Sequence, residues 1–359
     1  MKVIHYIGSL AFGGIERLVY DLVSQQTKQE VIEVSIGVGC LNGEFKTQFE
    51  SLDATLINLN LKSGYDLNPS KILKISKQFK LFDVIHLHAF HLSIVLAALL
   101  SGKKIVYTEH GNFGFGRTIK TSDKISFFLR KLFFKTTGVN IYCNSNFTKR
   151  YVESHFYGGK RLHLLYNGSA LNYSIHRNLL ADLKRKYENK YVIGTSSRLA
   201  GFKRIDRLIT VFSTYVKTNP SSVLVIVGEG VERQNLEQQV SNLNLENHVV
   251  FEGFQQEVAT YQSVFDVCVF SSTNEPFGLV AVECFSKKKP VLVFEDGGGI
   301  TEIVDKFQPK DICKDTQAMI SRLDYYKEHA FAWSQHHDEQ LTFFSLERME
   351  KEYYNAYCK

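Results

Sequence analysis

Short apolar runs alternate with amphipathic segments along almost the whole chain. Residues 3–7, 34–38, 55–59, 82–91, 104–110 and 141–145, and later 191–194, 223–228, 249–253, 266–270 and 291–294, are rich in Val, Ile, Leu, Phe and Tyr. Each has the length of a strand buried on both faces. Between them lie helical periods, such as Ile15, Leu18, Leu22 and Val23, the basic stretch 70–80, and a segment opening at Ile205. Strand and helix in steady alternation predict an α/β fold of doubly wound parallel sheets. The last 40 residues read as helices, ending in the aromatic TFFSLERMEKEYYNAY, and carry no heptad repeat.

The stretch TNEPFGLVAVE departs most from a purely structural pattern. Glu275 and Glu283 stand eight positions apart, with Pro276 and Gly278 before the apolar run from Leu279. Pro near a first turn and Gly for close backbone approach read as a loop entering a helix. On an ideal helix, eight residues rise roughly 12 Å and return to about 80° of the start, which puts both carboxylates on one side. Such a span suits an extended ligand like a nucleotide sugar, with a hydroxyl-rich ring at one end, a ribose at the other, and a diphosphate that a helix N-terminus can receive. A surface helix with two solvated Glu is the plain alternative for an isolated pair. Upstream, in SSRLAGFKRID, Arg198 and Lys203 flank Gly201 after a strand, so two cations five apart on one loop can grip two phosphates. Near the start, Gly8, Gly13 and Gly14 form a strand–turn–helix cradle, although the spacing is not the dinucleotide fingerprint.

Composition narrows the class. The chain has 359 residues, 44% hydrophobic and 22% charged, enough for two globular domains, and no apolar run reaches bilayer length. Six cysteines, at 40, 143, 268, 284, 313 and 358, form no CxxC pair. This fits buried thiols in a reducing cytoplasm, not a zinc or disulfide framework. The net charge of +6 is uneven: residues 1–170 carry 21 Lys and Arg against 12 Asp and Glu. A basic first half suggests an anionic partner, and no recognised motif supports nucleic acid.

The run FDVIHLHAFH carries His86, His88 and His91. Alternate histidines point the same way from a strand, yet no third ligand or carboxylate is placed to complete a metal site, so these side chains are expected to line the carboxyl edge of the sheet. From 112 to 135, Phe113, Phe115, Phe127, Phe128, Phe133 and Phe134 interleave with Arg117, Lys120, Lys124, Arg130, Lys131 and Lys135. This pattern suits either a helix lying in an anionic membrane interface or an ordinary amphipathic helix packing its Phe residues inward.

Taken together, E-x7-E from Glu275 to Glu283, the N-terminal GGIERLV, SSRLAGFKRID, VIVGEG and GGGITEIV resemble, in the same order, the retaining glycosyltransferases of family 4, also called glycosyl transferases group 1. The resemblance covers nearly the whole chain. It implies a GT-B fold, in which two Rossmann-like doubly wound domains face a deep cleft: an acceptor-side domain over 1–170 and a nucleotide-sugar domain over 171–342, with helix 343–359 crossing back onto the first. It also implies roles. Gly13 and Gly14 lie over the donor phosphates and acceptor, and His110 faces the donor sugar as a hydrogen-bond donor. Arg198 and Lys203 stabilise the departing diphosphate, and Gly228 and the loop around Phe254 and Gln255 hold the nucleotide and base. Glu275 binds sugar hydroxyls, Gly278 and Leu279 supply backbone donors, and Glu283 holds the ribose.

The implied reaction moves a sugar, most readily from a UDP-sugar, to a saccharide or lipid-linked acceptor in bacterial surface polysaccharide assembly, with the enzyme cytoplasmic and touching the inner membrane face through 112–135. No DxD motif occurs, and the reading is of a metal-independent enzyme with no cofactor. Two other readings share the architecture: a nucleotide-sugar 2-epimerase, which needs different acids and bases, and a catalytically silent binding subunit. Intact Arg198, Lys203, Glu275 and Glu283 weigh against the second.

Overall fold

Apolar residues on both sides of each strand dictate how the sheets are built. In the computed structural model, which describes residues 1–11, 13–61, 66–111 and 121–359 without the side chains of 121–123, the chain divides into two units, Met1–Ser169 with Phe344–Lys359, and Ala170–Phe343.

The first unit holds β1 (Lys2–Ile7), β2 (Glu33–Val38), β3 (Thr55–Asn58), β4 (Val84–Leu87), β5 (Lys104–Glu109), β6 (Asn140–Cys143) and β7 (Leu162–Leu164). All pair in parallel in the order β3-β2-β1-β4-β5-β6-β7. The three-residue β7, too short to stand out in the sequence, extends the sheet beyond the expected last strand at 141–145. One face packs on a core that includes Ile4, Tyr6, Ile85, Leu87, Phe79, Phe134 and Phe156. The other is covered in part by the helices Gly14–Gln26 and Leu346–Cys358, which pack together.

The second unit holds β8 (Tyr191–Ser196), β9 (Ser222–Val227), β10 (Val249–Gly253), β11 (Val267–Phe270), β12 (Val291–Phe294) and β13 (Ile312–Cys313), again all parallel, in the order β10-β9-β8-β11-β12-β13. Its core gathers Ile193, Leu224, Ile226, Val267, Val269 and Leu292 with Phe212 and Tyr215 from the helix Ile205–Tyr215. In both sheets the strand order reverses beside the first strand, at β1/β4 and at β8/β11. The loops leaving those four strands therefore diverge and open a crevice at the carboxyl edge, the usual ligand position of doubly wound sheets.

A close backbone approach leads the chain into the C-terminal helix. Ser169 N–H donates to Phe344 O at 2.9 Å, and Arg348 Nη2 donates to Tyr166 O at 2.8 Å. A Cβ on Gly168 would lie 2.3 Å from Ser345 O, so only glycine lets the two segments meet. Gly168→Val should therefore loosen the helix Leu346–Cys358 and cost about 1–3 kcal/mol, read as a lower urea midpoint and faster amide exchange in that helix.

Candidate active site

In the second unit, two loops at the β8/β11 switch point are stitched together by backbone bonds. After β8 the chain makes a 3₁₀ turn, Gly201–Lys203, then Arg204 in the left-handed region at φ 51°. Thr273 N–H, beyond β11, donates to Phe202 O at 2.8 Å, and Ser271 Oγ lies 3.1 and 2.7 Å from the carbonyls of Lys203 and Arg204. This frame presents Lys203 Nζ to Glu275 Oε2 at 2.5 Å, with side chains 14% and 12% exposed. Arg198, five residues earlier, is exposed, and among the described residues its side chain has no hydrogen-bond or ion-pair partner.

Glu275 does not share a helix with Glu283, contrary to the ideal-helix expectation. It sits in the loop before the helix Leu279–Ser286, in a parallel bridge to Gly298. Its N–H donates to Gly297 O at 2.9 Å and its carbonyl accepts from Gly299 N–H at 2.6 Å. The physical reason is Gly278, which begins the helix only after a left-handed step at φ 93°. Its α-hydrogen face lies against Ile300, where a Cβ would approach within 2.6 Å. The two carboxylates thus reach the site from a loop and from a helix.

Glu283 is half-buried, with Tyr173 Oη donating to Oε1 at 3.4 Å and Gln262 Nε2 near Oε2 at 3.5 Å. The N–H groups of Gly278 and Leu279 stand at the start of the same helix, whose first turn has no side-chain cap. Gly228, at φ 138°, passes so close to the loop after β8 that a Cβ would lie 1.9 Å from Ser197 O, and its N–H donates to Gly253 O at 2.8 Å. Phe254, the next residue, is 55% exposed. Thus Gly228 and the Phe254 loop adjoin the segment that carries Arg198.

In the first unit, Gly13 is the extended N-cap of the helix Gly14–Gln26, and a Cβ on Gly14 would meet open space. Behind that helix lies a buried histidine network. Parallel register pairs His5 with His86, and the period of two carries the same face to His88 and, on the next strand, to Thr108 and His110. His5 Nδ1 lies 2.9 Å from His88 Nε2, and His88 Nδ1 lies 3.0 Å from His110 Nε2. His5 Nε2 meets Gln26 Oε1 at 2.8 Å, while His86 joins Tyr357 Oη and Thr108 Oγ1, both at 2.7 Å.

His5 supplies the third imidazole that the sequence did not place beside His86 and His88. Nitrogens of the three lie within 4.8 Å of one another. All six of their ring nitrogens already hold a protein partner, so the arrangement is a hydrogen-bonded network with no nitrogen left over for an ion. Burial keeps the network neutral. Desolvation lowers His5 and His110 to about 4, and lowers His86 and His88 well below the ordinary value, helped by the neighbouring rings. His91 leaves this face: it precedes the helix Leu92–Ser101 and bonds Tyr6 Oη through Nδ1 at 2.5 Å. Gln26 and Tyr357, unremarked in the sequence, become visible only through packing.

Of the basic aromatic stretch, 112–120 lies outside the described residues. The helix Thr121–Thr136 divides its apolar residues. Phe133 and Phe134 are buried in the core and Phe127 packs against it, as in an ordinary amphipathic helix. Ile125, Phe128 and Leu132 are 53%, 65% and 49% exposed, beside the exposed Lys124, Lys131 and Lys135. Arg130 turns inward to Glu109 at 3.0 Å. Among the described residues, no helix is long and apolar enough to cross a membrane.

Comparison with known proteins agrees with this architecture. The family model for glycosyltransferase family 4 matches residues 12–172, and that for glycosyl transferases group 1 matches residues 179–329. A glycosyltransferase of Haemophilus influenzae is 25% identical over 321 residues, 87% of this chain and 86% of that one. The poly(ribitol-phosphate) alpha-N-acetylglucosaminyltransferase of Staphylococcus aureus is 27% identical over 121 residues, 34% of this chain and 24% of that one. Among solved structures, the Anabaena protein HepE in complex with UDP and glucose superimposes with a TM-score of 0.82 at 19% identity over 99% of both chains, a likeness of fold. With the two models matching successive halves of a double Rossmann-like fold, the chain belongs to the GT-B glycosyltransferases of family 4, the glycosyl transferases group 1.

Proposed function

We propose that this glycosyltransferase moves a sugar from a UDP-sugar to a saccharide or lipid-linked saccharide, with retention of anomeric configuration and without a metal ion, in the assembly of a bacterial surface polysaccharide. The observation that carries the reading is the Lys203–Glu275 pair at the β8/β11 switch point, with the exposed Arg198 on the same loop. Bond cleavage at the anomeric carbon leaves negative charge on the diphosphate. A flexible ammonium and a planar guanidinium on one rigid loop can stabilise that charge where it develops. Glu275 then has two tasks: its carboxylate accepts hydrogen bonds from sugar hydroxyls, and it holds Lys203 in place before the donor arrives.

Glu283, on the neighbouring helix, takes the ribose hydroxyls, and the uncapped N–H groups of Gly278 and Leu279 add donors for the diphosphate. Gly228 lets the loop after β9 close on the Ser197 carbonyl and so brings its backbone beside the nucleotide, and the exposed Phe254 offers a face for the base. In the first unit, His110 meets the donor sugar, and Gly13 and Gly14 give the phosphates and acceptor close access to backbone. The UDP and glucose bound by HepE and the N-acetylglucosaminyl transfer named for the S. aureus relative support a UDP-sugar donor and a polysaccharide setting. Retention needs no protein nucleophile: the departing phosphate can take the acceptor proton on the face it leaves.

A second surface supports a lipid-linked acceptor. The outer stripe Ile125, Phe128 and Leu132 recurs at i, i+3 and i+7 between lysines, the pattern of a helix that rests in an interface with its ammonium groups on phosphates.

Three outcomes test these readings. With a panel of nucleotide sugars and wild-type protein, one UDP-sugar should release UDP, and Lys203→Ala and Glu275→Ala should each lower the rate by about 10²-fold while binding of the other ligands and the fold persist. A full rate in either variant sinks the assignment. Excess EDTA should leave wild-type turnover within about twofold, because cationic side chains do the electrostatic work; loss restored by added divalent ion contradicts metal independence. Vesicles containing phosphatidylglycerol should sediment the protein at low salt and release it at high salt. Phe128→Glu should weaken that binding, and equal binding to neutral vesicles counts against the basic stripe.

A further inference from the structure

The buried histidines leave little freedom in where their protons sit. Each ring is neutral, so each has one nitrogen that donates and one that accepts. Gln26 is the junction. Its Oε1, which can only accept, faces His5 Nε2 at 2.8 Å, and its Nε2 faces Tyr357 Oη at 3.4 Å. With the Gln26 amide in this orientation, His5 carries its proton on Nε2 and its Nδ1 accepts from His88 Nε2–H. His88 Nδ1 must then accept from His110 Nε2–H.

The second branch obeys the same order. Tyr357 Oη accepts from the Gln26 amide and donates to His86 Nδ1, and His86 Nε2–H donates to Thr108 Oγ1, which lies 3.0 Å from Tyr353 Oη. Turning the Gln26 amide over would reverse every bond in both branches, so one side chain on the helix Gly14–Gln26 sets the polarity of the whole network. The far end of the first branch is His110, whose Nδ1 has no hydrogen-bond partner among the described residues.

We infer that Gln26, His5 and His88 are positioning residues that hold the proton of His110 on Nε2, so that His110 Nδ1 accepts a hydrogen bond from a hydroxyl of the bound sugar. This rests on the reading of His110 as a contact to the donor sugar and reverses its expected polarity from donor to acceptor. A ring forced to accept selects a hydroxyl that can donate, so it discriminates among sugars at that position without carrying charge. It also keeps the Nδ1 lone pair available throughout the neutral pH range, since His110 takes up a second proton only near 4.

The test is long-range ¹H–¹⁵N correlation on the full chain labelled at histidine nitrogen, which separates protonated from unprotonated ring nitrogens. At pH 7, His5, His88 and His110 should all show the Nε2–H tautomer. In Gln26→Leu, which removes the ordering acceptor, the His110 signals should move toward a mixture. His110 with its proton on Nδ1 in the wild type overturns the relay with no variant needed, as does an unchanged His110 signal in a folded Gln26→Leu.

Turnover separates the relay from the contact. His110→Ala should lower kcat/KM about tenfold, the scale of one hydrogen bond. A donor with fluorine in place of the contacted hydroxyl should lose a similar factor, because fluorine accepts but does not donate, and that loss should shrink in Gln26→Leu. Unchanged turnover in His110→Ala overturns the sugar contact whatever the spectrum shows. Lost turnover together with an Nδ1-protonated ring overturns the relay and leaves the contact standing.

Discussion

Strands covered on both faces can offer a ligand only their ends, and this constraint organises both units. Each sheet is parallel throughout and its central strands are buried, so polar side chains can reach a ligand only where the chain leaves the carboxyl edge. The reversal of strand order at β1/β4 and β8/β11 pulls neighbouring loops apart there. In the second unit those loops are then fixed by direct backbone bonds, from Thr273 to Phe202 and from Glu275 to Gly297 and Gly299. Close glycine approaches make this possible, since a Cβ on Gly299 would lie 2.2 Å from Pro276 O. The frame is rigid because the main chain forms it, which leaves the side chains to the ligand.

The two units solve the problem of a buried polar group in opposite ways. The second keeps full charges and pairs them. Lys203 and Glu275 are mostly withdrawn from water, and a partly buried ion pair is tolerable only while both partners are present. Any anion that reached Lys203 would compete with Glu275 for it, and either charge left alone would be costly. The first unit instead buries four imidazoles with no charge at all. Burial suppresses their protonation, and polarity is carried by the direction of hydrogen bonds. One device balances charge, and the other imposes an orientation.

Local pattern carries the fold and part of the chemistry. Strands such as Ser222–Val227 and Val291–Phe294 stand out as apolar runs between turn residues, and family motifs order them into two doubly wound sheets. What escapes a linear reading depends on distance in sequence or on backbone detail. β7 is three residues long and gains its pairing only from β6. Glu275 looks helical because Pro276 and the apolar run are helix signals, whereas the left-handed Gly278 postpones the helix by four residues. His5 lies 81 residues from His86, and only parallel register brings them side by side. A histidine inside the apolar run VIHYI was the one available hint that the first strand faces something polar.

The helix Leu346–Cys358 gives the first unit an unusual place in time. Its Tyr353 and Tyr357 close the histidine network, and Lys104 Nζ binds Tyr357 O at 2.7 Å. These residues leave the ribosome only after the whole of Ala170–Phe343 has been made. At about 5–20 residues per second, the first sheet waits on the order of ten seconds or more with its histidine face covered only in part, by the helix Gly14–Gln26. The second unit can finish folding before the first is sealed. The histidine network of the first sheet is thus sealed only by residues made after the whole of Ala170–Phe343.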